Sequence, residues 1–354
     1  MTAPLLTLVD VDGPGAHPAL WVEWDPARSA RAVADGVRAA ERAGFTAAVL
    51  DDHPLPDAAP GGAGGRPEGL LRAAFAAPLT GAIGLIPVVH AVYNEPFHVA
   101  TQLASLDIAS AGRGGWIAVA DRDPAIAARY GRTPLDDADA ELVDVVEAVR
   151  RLWDSWEDDA VIRHVPSGRY LDRAKLHYAD FRGARFSVKG PAIVPRPTQG
   201  QPITIGAAGT RAEVDAVLLQ VRDLDAVPAA AAAARDAHPV ARVLLRLEVV
   251  LDSAGLPAAD RLERLDAIAA WSRTGVRYVG DAESLLALLG RLAVDVDGVR
   301  FVPADGTVDL DELGRVVLPA LRAGGLSVAP RVGDTARRTW GLPHPVNRFL
   351  EHAR

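Results

Sequence analysis

Residues 81–120 indicate the fold class and read GAIGLIPVVH AVYNEPFHVA TQLASLDIAS AGRGGWIAVA. An apolar strand at Gly81–His90 is followed by a segment of helical period at Glu95–Ser110 and by a second apolar strand at Gly115–Ala120. Two strands joined by a helix are typical of parallel βαβ units, whose strands are buried on both faces. The stretch therefore predicts a sheet built from alternating strands and helices.

The same alternation continues on both sides of this stretch. Further strands are predicted at Leu5–Asp10, Phe45–Asp51, Ile203–Ala207, Ala216–Val221, Val243–Leu251 and Gly298–Pro303. Helices are predicted from about Pro26 to Arg42 and at Glu68–Ala77, Asp136–Trp156, Ala229–His238, Ala258–Arg273, Ala282–Leu292 and Asp309–Ala323. This pattern predicts a single (β/α)8 TIM-barrel domain over residues 1–354, with its functional groups at the carboxyl ends of the strands.

Two segments interrupt the alternation. Residues 158–200 contain short aromatic and basic turns and several prolines, and we expect them to form an excursion over the barrel mouth after the fourth βα unit. Residues 208–215 are too few for the dozen or so that a parallel crossover with a helix needs, so they predict a shortened crossover. A doubly wound open sheet is the alternative fold, but no strand is followed by a glycine-rich dinucleotide turn.

Composition disfavours several classes of function. The 354 residues include no cysteine, which excludes disulfides, thiolate metal sites and cysteine nucleophiles. The nine histidines are scattered without metal-ligand spacing, so no metal is predicted. A net charge of −8 disfavours nucleic acid and anionic membranes as partners. Without a leader-like amino terminus or a run of about 18 apolar residues, we expect a cytoplasmic protein.

Polar residues at predicted strand ends are the candidates for chemistry. The second strand ends in Asp51–Asp52–His53, where His53 is either a general base or a hydrogen-bonding cap on the turn. His90 ends the third strand, where the polar edge of a ligand would lie, so His53 and His90 are the candidate catalytic residues. The small residues of the turn Gly206–Thr210 either bring backbone N–H groups close to a phosphate or form an ordinary tight turn.

Several motifs resemble one known family. Tyr93–His98, Leu106–Asp107 and Gly112–Trp116 are similar to the region between the third and fourth strands of luciferase-like flavin-dependent monooxygenases. The similarity is to the branch that includes nitrilotriacetate and dibenzothiophene-sulfone monooxygenases. It extends from about Gly15 to Asn347, through Leu152–Ala160, Phe186–Pro191, Pro195–Pro202 and Gly341–Pro343.

The resemblance implies a reaction and its partners. Reduced FMN would be supplied by a separate NAD(P)H:flavin reductase, and oxygen would be used to oxidise a small organic substrate. The deazaflavin F420 is the alternative cofactor. The resemblance also implies a homodimer that pairs through the helices of the early barrel.

Individual positions are carried over from the family as follows. Asp52 matches the aspartate that ends the second strand, His90 and Ala91 match residues that touch the flavin ring, and Gly209 and Thr210 match the phosphate-binding turn. Asp52, His53, His90 and Trp116 are expected to line one pocket at the rim of consecutive strands.

Two departures from the family pattern predict weak flavin binding. Ile117 replaces an asparagine that contacts the ring, and no helix follows Thr210 to hold the phosphate, which leaves Arg211 as a compensating cation. The alternative function is a divergent barrel that has lost flavin binding and acts as a partner subunit or ligand-binding protein.

Overall fold

A computed structural model describes residues 4–22, 24–25, 29–53 and 67–351 of the chain. Its strands are β1 (Leu6–Asp10), β2 (Ala47–Leu50), β3 (Gly84–His90), β4 (Gly115–Val119), β5 (Val161–His164), β6 (Arg169–Leu171), β7 (Phe181–Arg182), β8 (Ser187–Val188), β9 (Ile203–Ala207), β10 (Ala216–Leu219), β11 (Arg242–Leu251), β12 (Val276–Gly280) and β13 (Gly298–Pro303). The described strands agree closely with the predicted barrel strands, whereas β12 and the short strands β5 to β8 are additional.

The helices lie between the barrel strands and after the last of them. They are α1 (Ser29–Ala43), α2 (Gly69–Ala76), α3 (Pro96–Ala109), α4 (Pro124–Arg129), α5 (Ala138–Asp154), α6 (Val227–Ala237), α7 (Ala258–Asp266), α8 (Ala282–Leu292), α9 (Val308–Glu312), α10 (Leu318–Ala323), α11 (Ala336–Thr339) and α12 (Arg348–Glu351). Among the described residues, no helix combines the length and apolar composition needed to cross a membrane.

Eight parallel strands close into a barrel, which confirms the predicted fold and excludes the open sheet. The order around the ring is β1, β2, β3, β4, β9, β10, β11 and β13, and β13 pairs with β1 at Gly298 and Leu6. Strand β11 pairs with β10 through its first residues and with β12 through its last ones. Strand β12 therefore extends the sheet at the carboxyl end of the barrel, where β10 has already ended.

The barrel interior is packed with apolar side chains below the strand ends. Leu8, Val49, Ile86, Ile117 and Leu244 belong to one buried cluster, which also includes Trp340. Ala336 N donates a hydrogen bond to Gly112 O, just before β4, so α11 and Trp340 close the amino-terminal end of the barrel. This end is therefore sealed, and ligands have access from the carboxyl ends of the strands.

The excursion at residues 158–200 begins and ends at the amino-terminal end of the barrel. Arg196 donates hydrogen bonds to Asp154 at the end of α5, and Gln199 Nε2 donates one to Gly114 O, 2.6 Å away and just before β4. Both ends of the excursion are thus held near the amino-terminal end of the barrel. Its middle reaches back along α5 toward the carboxyl ends of the strands, where Arg185 is 3.6 Å from Glu141 in the first turn of α5. The reason is topological, because α5 runs antiparallel to the strands and returns the chain to their starting end before the excursion begins.

Three segments that follow barrel strands depart from a regular crossover helix or from its predicted length. Residues 208–215, all of which are described, contain no helix, as predicted. The helix predicted at Ala258–Arg273 ends at Asp266 instead, and the residues after it fold back over the mouth. The helix predicted at Asp309–Ala323 is interrupted by a π-helical turn at Leu313–Val317.

Candidate functional site

Charged side chains replace apolar ones in the top layer of the barrel interior. The Arg300 guanidinium donates to both carboxylate oxygens of Asp10 at 2.7 and 2.8 Å, and it lies 3.6 Å from Asp51. Burial opposes the charge on Arg300, but Asp10 and Asp51 outweigh burial and raise its pKa. Arg300 and Asp10 therefore form a buried bidentate pair at the mouth.

A second ionic group is centred on the fully buried Glu248. Its carboxylate accepts hydrogen bonds from Arg246 at 2.7 Å, from Arg277 at 2.8 Å and from the Thr274 hydroxyl at 2.8 Å. Burial alone would raise the pKa of Glu248, but these donors lower it. Glu248 thus ties β11 to β12 and to the segment that folds back over the mouth.

Three carboxylates meet beside Arg300. Oxygens of Asp10, Asp12 and Asp51 lie within 4.8 Å of one another, the spacing of a candidate cation site. Arg72 forms a buried ion pair with Asp12, and Arg300 is paired with Asp10. Because guanidinium groups already neutralise these carboxylates, a metal ion would have to displace an arginine.

His90, at the end of β3, is held by two acceptors. Its Nδ1 lies 2.7 Å from Asp121 Oδ1, and its Nε2 lies 2.7 Å from the carbonyl oxygen of Asp52. Neither partner donates to the ring when Asp121 is ionised, so this arrangement favours the imidazolium form of His90, in which both nitrogens donate. Burial alone would lower the pKa of His90, but the hydrogen bond and charge of Asp121 raise it. With both nitrogens engaged by acceptors, the His90 ring is held in a fixed orientation.

His53 and Asp52 lie next to His90, as the sequence predicts. The rings of His53 and His90 are 5.7 Å apart at 83°, an edge-to-face contact, and the His53 residue is exposed. The Asp52 carboxylate accepts from His53 N at 2.9 Å and from Gly69 N, the first residue of α2, at 2.8 Å. Asp52 therefore secures the backbone on both sides of residues 54–68.

Two other predicted site residues point away from the mouth. Trp116 is completely buried on the outer side of the barrel, where its Nε1 donates to Thr204 Oγ1 at 3.0 Å. Side chains alternate along a strand, so Ile117 faces the interior and Trp116 faces the helices. The structure therefore does not bring Trp116 to His53 and His90, contrary to expectation. The Ala91 side chain is also fully buried, in the outer core.

The turn at residues 208–212 has few groups left for a phosphate. Ala208 N donates to Leu218 O, Thr210 N to Ala207 O and Ala212 N to Thr210 Oγ1. The N–H groups of Gly209 and Arg211 have no such partner within the described part of the chain. The Arg211 guanidinium donates to both oxygens of Asp137 at 2.7 Å, and both side chains are more than half exposed. A phosphate could reach the two remaining amides and could attract Arg211 only in competition with Asp137.

The charged residues that line the mouth of the barrel were not predicted from the sequence. Arg246 and Glu248 follow Leu244 at alternate positions of β11, and Arg300 follows Gly298 in the same way on β13. Charges at every second position of an otherwise apolar strand are the signal that would have found them, because such residues share one face. Asp121 is also part of the site, and its second carboxylate oxygen is buried without a hydrogen-bond partner among the described residues.

The chain is similar in sequence to several known proteins. The model of the luciferase-like monooxygenase family matches residues 6–253. One of the subunits of pristinamycin IIA synthase from Streptomyces pristinaespiralis is 36% identical over 250 residues, which cover 70% of this chain and 77% of that protein. Dibenzothiophene-sulfone monooxygenase of Rhodococcus erythropolis is 37% identical over 134 residues, 37% of this chain and 30% of that protein.

A structural comparison agrees on the architecture. The crystal structure of a long-chain alkane monooxygenase superposes with a TM-score of 0.85 over 100% of both chains, at 16% sequence identity. At that identity the likeness concerns the fold alone. The match to dibenzothiophene-sulfone monooxygenase confirms the branch that the motifs indicated.

Proposed function

The chain belongs to the luciferase-like monooxygenase family, and on this premise we propose that it oxidises a small organic substrate with oxygen and reduced FMN supplied by a separate reductase. The observation that carries the proposal is the extent of the family match. Residues 6–253 include β1 to β11, and with them His53, His90 and the turn at 208–212. The family similarity therefore includes most of the strand ends that form the mouth.

The residues at the mouth fit part of a flavin. When bound, reduced FMN supplies the electron pair needed to activate oxygen. The turn at Gly209 and Thr210 would receive the phosphate, with Arg211 moving from Asp137 toward it, and the ring would lie across the ends of β3 and β4 near His90. The positive charge of His90 would favour an anionic group beside it. F420 is the alternative, because F420-dependent enzymes share this fold.

The two candidate catalytic histidines take different parts in this proposal. His90 is a positioning residue, since both of its nitrogens are bonded to Asp121 and Asp52. His53 is exposed at the mouth and is the residue proposed to exchange a proton with substrate. The enclosed, ion-paired floor of the mouth would limit the access of water to the reacting groups.

Calorimetry with FMN tests the proposal and the assigned turn. We expect oxidised and reduced FMN to bind with a Kd above about 1 μM, because the turn lacks a helix dipole and most of its amides are already bonded. Arg211→Ala should weaken binding about three- to tenfold, as expected for a partly exposed cation on a phosphate. Arg182→Ala, which removes an exposed arginine on β7, is the matched control. If FMN binds with sub-micromolar affinity and Arg211→Ala leaves that affinity unchanged, the phosphate must bind somewhere other than this turn.

A second candidate function is that of a partner subunit with weak or lost flavin binding. It is favoured by the relative that covers 70% of this chain, because that protein is one subunit of a synthase. It also agrees with the absence of a helix at residues 208–215. If neither form of FMN binds at millimolar concentration, this candidate replaces the first.

A further inference from the structure

A cavity of about 620 Å³ opens at the carboxyl ends of β1, β11 and β13. Its volume lies within the range of roughly 300–1,000 Å³ that small-molecule sites occupy. Asp51 lines it, and the next residue, Asp52, is bonded to His90, so the cavity adjoins the pair of histidines. We call it the tryptophan pocket, after Trp21 and Trp271 in its walls.

The walls of the tryptophan pocket are apolar and held in place. The Trp271 ring lies 3.8 Å from the guanidinium carbon of Arg277, and Trp271 N donates to Asp266 at 2.8 Å. On the opposite segment, Trp21 Nε1 donates to Gly15 O at 2.8 Å. Ile268, Val302 and other apolar residues complete the walls. Aromatic rings that are ordered before binding provide contact area at low entropic cost.

The floor of the pocket offers hydrogen-bond acceptors. Asp10, Asp12 and Asp51 line it, together with one arginine, Arg246. The carboxylates of Asp10 and Asp12 are neutralised by Arg300 and Arg72, neither of which lines the pocket. Carboxylate oxygens can accept more than one hydrogen bond, so a ligand donor can share them with the arginines.

Arg246, the arginine in the floor, already donates hydrogen bonds to other residues. Arg246 Nη1 donates to Glu248 at 2.7 Å and to Thr274 Oγ1 at 2.8 Å. An anionic ligand would have to compete with Glu248 for Arg246 while lying near three carboxylates. A cationic ligand would gain little, because the four arginines of this cluster balance its four carboxylates: Arg72, Arg246, Arg277 and Arg300 against Asp10, Asp12, Asp51 and Glu248.

We propose that the tryptophan pocket binds the substrate and selects an uncharged, largely apolar molecule that carries N–H or O–H donors. Its apolar body contacts Trp21 and Trp271, and its donors reach the carboxylates of the floor. Polycarboxylates are rejected. The inference rests on the proposed function, since it assigns a substrate class to the same mouth.

Three probes that share one ring system test the charge preference. Indole-3-acetamide is uncharged, indole-3-acetate is an anion and tryptamine is a cation at pH 7. Binding to the flavin-free chain is measured by calorimetry. Indole-3-acetamide should bind in the millimolar range, as expected for a ligand of this size. Indole-3-acetate should bind at least about tenfold more weakly than the acetamide, because the carboxylates of the floor repel its negative charge. Tryptamine should bind no more tightly than the acetamide.

Two variants connect the binding to the pocket. Trp271→Ala should weaken binding of indole-3-acetamide at least about fivefold through lost aromatic contact. Ile268→Lys, at a side chain exposed enough to be replaced without unfolding, should strengthen binding of indole-3-acetate about fivefold by adding a cation. Tyr170→Ala removes an exposed aromatic ring on β6 and is the matched control, with no expected effect on either probe.

The results separate this inference from the proposed function. Tighter binding of indole-3-acetate or tryptamine than of the acetamide would overturn the substrate class. The binding site would have to lie elsewhere if Trp271→Ala left the binding of indole-3-acetamide unchanged and Ile268→Lys left the binding of indole-3-acetate unchanged. If the probes behave as expected and FMN does not bind, the pocket stands and the monooxygenase proposal fails. If FMN binds and the acetamide does not, the pocket alone is wrong.

Discussion

At the scale of the residue, His90 shows how a partner sets the chemistry of a side chain. Its position at a strand end is that of a possible base, yet Asp121 and the Asp52 carbonyl fix both ring protons. The raised pKa of His90 means that the ion pair contributes stability that is fully present below the unfolded pKa of about 6.5. That contribution is lost as the pH rises through the folded pKa.

The variant His90→Gln tests this protonation state. At pH 6 the variant should lose about 2–3 kcal/mol of unfolding free energy, because Asp121 is left buried without its cation. At pH 9 the difference from the wild type should be smaller, since the protonated fraction of the wild-type ring falls as the pH rises. Urea unfolding at both pH values measures it, with the exposed His53→Gln as the control. Equal losses at the two pH values would contradict this prediction, because His90 would then not change its protonation between pH 6 and pH 9.

At the scale of the element, the crossover at residues 208–215 depends on small side chains. A Cβ added at Gly206 would lie 2.9 Å from Thr210 Cγ2, so the turn packs directly on β9. We expect Gly206→Ala to lower the unfolding free energy by about 1–3 kcal/mol through this overpacking. Adding Thr210→Ser, which removes the methyl group and keeps the hydroxyl that caps Ala212 N, should restore part of the loss.

A double-mutant cycle measures that coupling. Urea unfolding of both single variants, the double variant and the wild type gives the interaction free energy. Additive losses would contradict the packing of this turn on Gly206.

At the scale of the whole molecule, exposed apolar side chains support the proposal of a homodimer. Leu71 and Phe75 lie four residues apart on α2 and are 54% and 48% exposed, and Ile108 on the adjacent α3 is 44% exposed. Sedimentation at micromolar concentration should show a dimer. The double variant Leu71→Glu, Phe75→Glu should be a folded monomer, because it introduces charges into an apolar interface. Val240→Glu, at an 88% exposed position after α6, is the control. A wild-type monomer would contradict the proposal.

The sequence by itself determined the barrel and the neighbourhood of two candidate residues. Alternating apolar strands and helical segments specify parallel units, and eight of them close into a ring. The absence of a helix at residues 208–215 could be predicted from the small number of residues in this segment alone. His53 and His90 meet because the carboxyl ends of consecutive parallel strands lie side by side, which is a property of local order along the chain.

Only the tertiary structure decided what those residues can do. Asp10 and Arg300 are 290 positions apart in the sequence and form an ion pair because β1 and β13 close the ring. Arg211 is held by Asp137, 74 positions away, and Trp116 faces Thr204 across the outer surface of the barrel. Protonation, pairing and orientation depend on groups that come from distant strands, and no local pattern specifies which of them will meet.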